Sequence, residues 1–105
     1  MARFEVYTNP GSHATTTPYL LDVQSDLLDG LDTRMVVPLR SLKHFPQVKL
    51  STRLTPIFTI KGEDHLLETP KMGAVPQCVL KSPVTSLAEN QDQITAALDF
   101  LFNGY

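Results

Sequence analysis

Apolar positions fall into short runs divided by polar, turn-forming residues, and only the last quarter of the chain shows a helical stripe. Phe4-Glu5-Val6-Tyr7 alternates and breaks at Asn9-Pro10-Gly11, which predicts a first strand ending in a turn. The polar segment Asn9–Pro18 reads as a long hairpin loop. Tyr19–Val23 is a second strand, with Pro18 at its start, where a missing N–H costs little. Met35–Leu39 is a continuous apolar run, the pattern of a strand buried on both faces. Pro38 near its end predicts a bulge or a change of partner. Between these two strands Ser25–Asp32 is a loop with an Asp29-Gly30 turn signal. Leu27 and Leu28 are adjacent on it and cannot easily both face one core. At least one of them packs on another part of the fold or on a partner.

Further along, Thr55–Lys61 predicts a fourth strand, Gly62-Glu63-Asp64 a hairpin turn, His65–Thr69 a fifth strand and Val75–Leu80 a sixth. Ser41–Phe45 fits one helical turn before Pro46. Ser86-Leu87-Ala88-Glu89 has the spacing of a capping box, with Ser86 as N-cap. Leu87, Ile94, Ala97, Leu98, Leu101 and Phe102 then share one helical face, and Gly104 is a stop signal. Phe100 points away from that stripe, beside Ala96 and Asn103. It is either a contact for a second subunit or an isolated exposed apolar residue. Strands followed by one terminal helix predict a mainly β (α+β) fold, either a bent antiparallel sheet carrying the helix or a small barrel.

At 105 residues the chain is expected to form one domain. Its formal net charge of −2 argues against a direct, tight grip on DNA or RNA. Cys78 is the only cysteine, so no internal disulfide is expected; in an apolar strand it would be a small buried hydrophobe, and a reducing cytosol is the simplest compartment. No apolar run approaches ~18 residues, so no membrane span is expected, and the N-terminal residues lack the apolar core of a signal peptide.

Candidate chemistry is sparse. His13, His44 and His65 are dispersed, without metal-ligand spacing, and are expected on the surface or in loops. Asp26, Asp29 and Asp32 with Gly30 lack the ligand pattern of a calcium loop. Neither a phosphate-cradling glycine loop nor a nucleophile elbow occurs. These readings predict a protein without metal, cofactor or catalytic residues. The segment Arg40–Arg53 holds Arg40, Lys43, His44, Lys49 and Arg53 and no acid. It is either a solvated face or an electrostatic dock for an acidic partner. Tyr105, next to Phe102 and near Phe100, is either a frayed end or an aromatic anchor.

Five words, in order, carry a resemblance: Phe4–Thr8 (FEVYT), Asp22–Asp26 (DVQSD), Arg34–Leu39 (RMVVPL), Met72–Pro76 (MGAVP) and the ending Phe102-Asn103-Gly104-Tyr105. Together they resemble the CcdB toxins, protein poisons of bacterial DNA gyrase from toxin–antitoxin modules. The likeness spans nearly the whole chain. It implies a bent antiparallel barrel-like sheet with a small extra sheet, a C-terminal helix, a homodimer and a cytoplasmic site of action. It also implies two partners, the gyrase A subunit and a CcdA-like antitoxin with an acidic tail. DNA would be met only through the antitoxin, whose complex with the toxin represses its own operon.

By position, the resemblance places gyrase contacts at Leu27, Leu28, Asp99, Phe102, Asn103, Gly104 and Tyr105. Lys43, Lys49 and Arg53 become candidate antitoxin contacts, and Phe100 with Ala96 a candidate dimer contact. The sequence departs from the best-known member where Asn103 replaces a Trp, Tyr105 an aliphatic residue and Asp99 an amide. Two other readings stay open. One is an endoribonuclease of the MazF/Kid barrel type, which needs an acid–base constellation. The other is a relative that binds antitoxin but no longer poisons gyrase.

Overall fold

The computed structural model describes residues 2–28, 30–43 and 52–104. Asp29, His44, Lys49 and Tyr105 lie outside these residues, as do the last two residues of the expected helical turn at 41–45, whose first residue, Ser41, is in a strand and not in a helical turn. Seven strands are described: β1 (Glu5–Thr8), β2 (Tyr19–Asp22), β3 (Thr33–Ser41), β4 (Ile57–Ile60), β5 (Glu63–Leu67), β6 (Gly73–Pro76) and β7 (Thr85–Ser86). One helix, α1 (Gln91–Asn103), follows. The strands run in the order β4-β5-β3-β2-β1-β7, all pairs antiparallel, with β6 also on β3. The sheet forms a nearly closed barrel with the helix at its C-terminal end, in agreement with the mainly β expectation.

β3 is the hinge of the topology. Along one side Val36–Leu39 pairs with β2. On the other side Thr33–Val36 pairs with β6 and Leu39–Ser41 with β5. The change of partner falls at Val37–Pro38, where proline has no N–H to donate to a ladder. The Pro38 carbonyl is still used, accepting from Glu68 N at 2.9 Å.

The period-two pattern explains burial on both sides of this sheet. Val6, Leu21, Val37 and Leu39 face a large core that also takes Phe58, Ile60, Leu67, Leu87 and Ile94. Their sequence neighbours Tyr7, Leu20 and Val36 face a smaller cluster closed by Leu80, with Val75 and Val79 against it. The apolar Met35–Leu39 run is thus buried through both faces from Val36 onward, while Met35 itself is exposed.

Several local expectations need correction. The β4–β5 turn is Lys61-Gly62, one residue earlier than expected. Both residues have positive φ, 53° and 80°, as a two-residue primed turn requires. The sixth strand ends at Pro76, and Gln77–Val79 tightens into a 3-10 turn, so Cys78 is exposed and not a core residue. Ser86 does not cap the helix. It is committed to β7, opposite Glu5, and its hydroxyl accepts from the near Ala88 N at 3.2 Å. Ala88–Asn90 forms a 3-10 turn, and α1 begins at Gln91. Leu87 is buried as expected, but ahead of the helix. His65 is not a surface residue: it is 1% exposed on β5, edge-on to Tyr19 at 5.1 Å between ring centroids.

Candidate functional site

The C-terminal helix has one buried anchor and one free end. Ile94 and Ala97 are fully buried, and Leu98 packs against the main core. These positions, three and four apart, form the stripe that fixes the helix on the barrel. The helix also rests on the Thr69–Lys71 turn. Beyond Leu98 the stripe leaves the core: Leu101 is half-buried and Phe102 is 69% exposed. Phe102, which helical spacing put on the same stripe and the resemblance named as a gyrase contact, is thus exposed and does not pack with Ile94 and Ala97. Gly104 ends the helix in a left-handed conformation, φ 80°, with its N–H donating to Phe100 O at 2.9 Å. That geometry favours glycine, which has no Cβ to strain.

Asp99, Phe102, Asn103 and Gly104 are all exposed on this end. Phe100 is only half-buried, and it is covered by a residue that the sequence assigned to a different role. The Arg53 guanidinium lies 4.6 Å from its ring centroid, a cation–π contact. A candidate antitoxin contact and a candidate dimer contact thus meet on one spot. Ala96 is exposed.

Leu27 is 94% exposed and Leu28 50%, on a 3-10 turn spanning Asp26–Leu28. Both leucines face away from the core, where only one was required to. The turn is built from polar bonds: Arg3 N donates to Asp26 Oδ1 at 2.8 Å, Leu27 N to Ser25 Oγ at 3.2 Å, and Gln24 Nε2 to Leu28 O at 3.2 Å. Sequence reasoning passed over Leu31, 50% exposed on the same loop; its place among aspartates and Gly30 was the available signal. The helix rests on Thr69–Lys71, whereas this loop is tied to Arg3 and Gln24.

The basic segment resolves into separate roles. Arg40 is half-buried and lies 3.6 Å from Glu68, which also meets Lys71 at 3.3 Å, so Arg40 belongs to an internal ion-pair group. Lys43 and Arg53 are exposed. Among the described residues no group of three or more His, Cys, Asp or Glu side chains is placed to hold a metal ion, and no helix is long and apolar enough to cross a membrane.

The fold is a small, nearly closed, mainly β antiparallel barrel with one C-terminal helix, with exposed leucines on a loop and an exposed phenylalanine on the last helical turn. The family model described as "CcdB protein" matches residues 3–104, and the chain belongs to that family, the toxins of toxin–antitoxin modules.

Proposed function

We propose that this protein poisons DNA gyrase by binding, without bond-making of its own. A homodimer engages the gyrase A subunit through the end of α1 and the loop bearing Leu27 and Leu28. It holds the enzyme with its DNA cut, so that blocked resealing damages the chromosome. The work comes from differential affinity for one conformation of the target. A CcdA-like antitoxin neutralises the toxin in the cytoplasm, with Lys43, Lys49 and Arg53 attracting its acidic tail.

The observation that carries this reading is Phe102, 69% exposed on a helix whose preceding turns are locked by Ile94 and Ala97. A large aromatic on a rigid support loses little conformational freedom on binding and suits an interface anchor. With Asn103 where the best-known relative has a Trp, Phe102 supplies the ring at this end.

The test is a supercoiling and DNA-cleavage assay with purified gyrase. The wild-type protein is expected to stabilise cleaved DNA. Phe102→Ala should weaken this by about 2 kcal/mol, roughly 30-fold in the concentration required, while its melting temperature stays unchanged. Deleting residues 103–105 should abolish poisoning and leave dimer and antitoxin binding intact. A wild-type protein inert towards gyrase that still binds its antitoxin would favour the binding-only relative. Poisoning that survives both changes would remove the helix end from the mechanism.

A further inference from the structure

Gln24 sits where the chain leaves β2, and its side chain joins two parts of the fold. Beyond the pairing of Asp22 with Val36, Val23 N still donates to Met35 O at 3.0 Å. The return donor, Met35 N, meets Oε1 of the Gln24 side chain at 3.0 Å. The Val23 carbonyl accepts from Arg3 Nε, also at 3.0 Å. A side-chain carbonyl thus stands in for a backbone one, and the main chain turns away from β3 into the loop. From the same amide, Nε2 donates to Leu28 O at 3.2 Å. Leu28 O accepts from Leu31 N as well, at 3.1 Å, which occupies both lone pairs of that carbonyl.

Few side chains can make this link. A backbone N–H only donates and a carbonyl only accepts, so the two partners fix which end of the amide points where. Glutamine brings a donor and an acceptor together at the end of a long, uncharged chain. Ionised glutamate lacks the donor, and asparagine has a shorter reach. The near end of the link is also held. Gln24 N donates to Asp22 Oδ1 at 3.0 Å, and Gln24 O accepts from Arg34 Nη2 at 3.4 Å. The backbone of Gln24 is therefore fixed by both members of a buried ion pair, 2.8 Å apart. At the far end lie the exposed side chains of Leu27 and Leu28. A loop that is already ordered loses less conformational freedom when a partner takes up such side chains.

We infer that Gln24 is a positioning residue for the binding surface: its amide clamps the leucine-bearing loop to β3 and presents Leu27 and Leu28 in a preset arrangement. The inference rests on the reading of this loop as part of the gyrase contact, whereas the clamp is a property of the free chain.

The experiment compares the wild type with Gln24→Glu and Gln24→Met, each checked for folding by a melting curve. Glutamate keeps an acceptor for Met35 N but turns an oxygen towards Leu28 O. Methionine fills similar space without either bond and adds no charge. In the free ¹⁵N-labelled chain, amide exchange at Leu28 and Leu31 should be about fivefold faster in both variants, the loss of one net hydrogen bond. Exchange at Met35 should rise only with methionine, and that at Val6 and Leu21 should not change. Affinity for the purified gyrase A subunit should fall about fivefold in both variants, but only about twofold when they are made on a Leu28→Ala background, because the clamp then has less to present. Loop amides that exchange as in the wild type in both variants, or an equal loss of affinity on the Leu28→Ala background, would overturn the assignment. A wild-type chain that does not bind the A subunit would overturn gyrase as the partner, and the exchange rates alone would then decide the clamp.

Discussion

The two faces of the β1–β2–β3 sheet are built on opposite principles. The face towards α1 is mainly apolar, with Val6, Leu21, Val37 and Leu39 in one core with Ile94 and Leu87. The opposite face places Asp22 and Arg34 among Tyr7, Leu20 and Val36, and both charged side chains are 0% exposed. Asp22 Oδ2 accepts from Arg34 Nε at 2.9 Å and lies 2.8 Å from Nη2, and Asp22 Oδ1 accepts from Gln24 N at 3.0 Å. Burial pushes the Asp22 carboxyl up from its ordinary range, and the Arg34 hydrogen bond and the Gln24 N–H oppose that shift. The apolar face gains free energy from area removed from water, in any register that hides the same groups. The polar face gains little net energy over an apolar substitute but penalises every register that separates the pair. One face stabilises the barrel, and the other fixes how β2 and β3 are aligned.

Breaking the pair is the largest expected effect. Asp22→Asn leaves Arg34 charged and buried without the Asp22 carboxylate, and should cost about 3–5 kcal/mol in urea unfolding. The double replacement Asp22→Leu with Arg34→Met removes both charges, and should recover stability to within about 1–2 kcal/mol of the wild type. A double variant as unstable as the single one would mean that the pair carries stability as well as alignment.

The apolar face should fail more gently. Ile94→Ala leaves a cavity where α1 meets the barrel and should cost about 2–4 kcal/mol. If α1 carries the gyrase poisoning proposed above, the same change should also reduce it at temperatures where the protein remains folded, because the end of α1 then has a looser base. Helix-end amides exchanging at the wild-type rate in this variant would separate the anchor from the tip.

This contrast also shows what could be read from the residues alone. Alternation located the strands, and Pro38 signalled the exchange of β6 for β5 along β3, because a missing donor has a local consequence wherever the chain goes. The tip was legible in Gly104, whose conformation is intrinsic, whereas Phe102 was named there through the resemblance and its spacing alone put it on the stripe of Ile94 and Ala97. Helical spacing assigns a side to each residue and does not say where the barrel stops supporting it. The Asp22–Arg34 pair was overlooked although its parity was visible: Asp22 alternates with Leu20, and Arg34 with Val36, so both belonged to a buried face. Cys78 and Ser86 were misplaced because 3-10 turns follow from tertiary closure more than from local preference. The Arg53–Phe100 contact, joining residues 47 apart in sequence, left no local trace at all.

Tyr7 gives the smallest expected effect at neutral pH and the sharpest comparison of the faces. It is 1% exposed beside the ion pair, and its hydroxyl donates to Glu5 Oε1 at 3.1 Å. Burial, then the Glu5 hydrogen bond and the negative charges of Glu5 and Asp22, push its pKa from 10.0 up to about 12, with Arg34 opposing. Tyr7→Phe should therefore cost only about 1 kcal/mol at pH 7, the net worth of one hydrogen bond. At high pH the sign changes. Between pH 10 and about 12 the folded protein holds a proton that the unfolded chain has released, so wild-type stability falls across that window. A rise from 10.0 to about 12 corresponds to a loss of at most about 2.7 kcal/mol. The phenylalanine variant lacks this contribution, and its stability curve should cross that of the wild type between pH 10 and about 12 when the two are unfolded in parallel. Parallel curves would show that the phenol ionises as easily in the folded chain as in the unfolded one, and that this face is wetter than its side chains suggest.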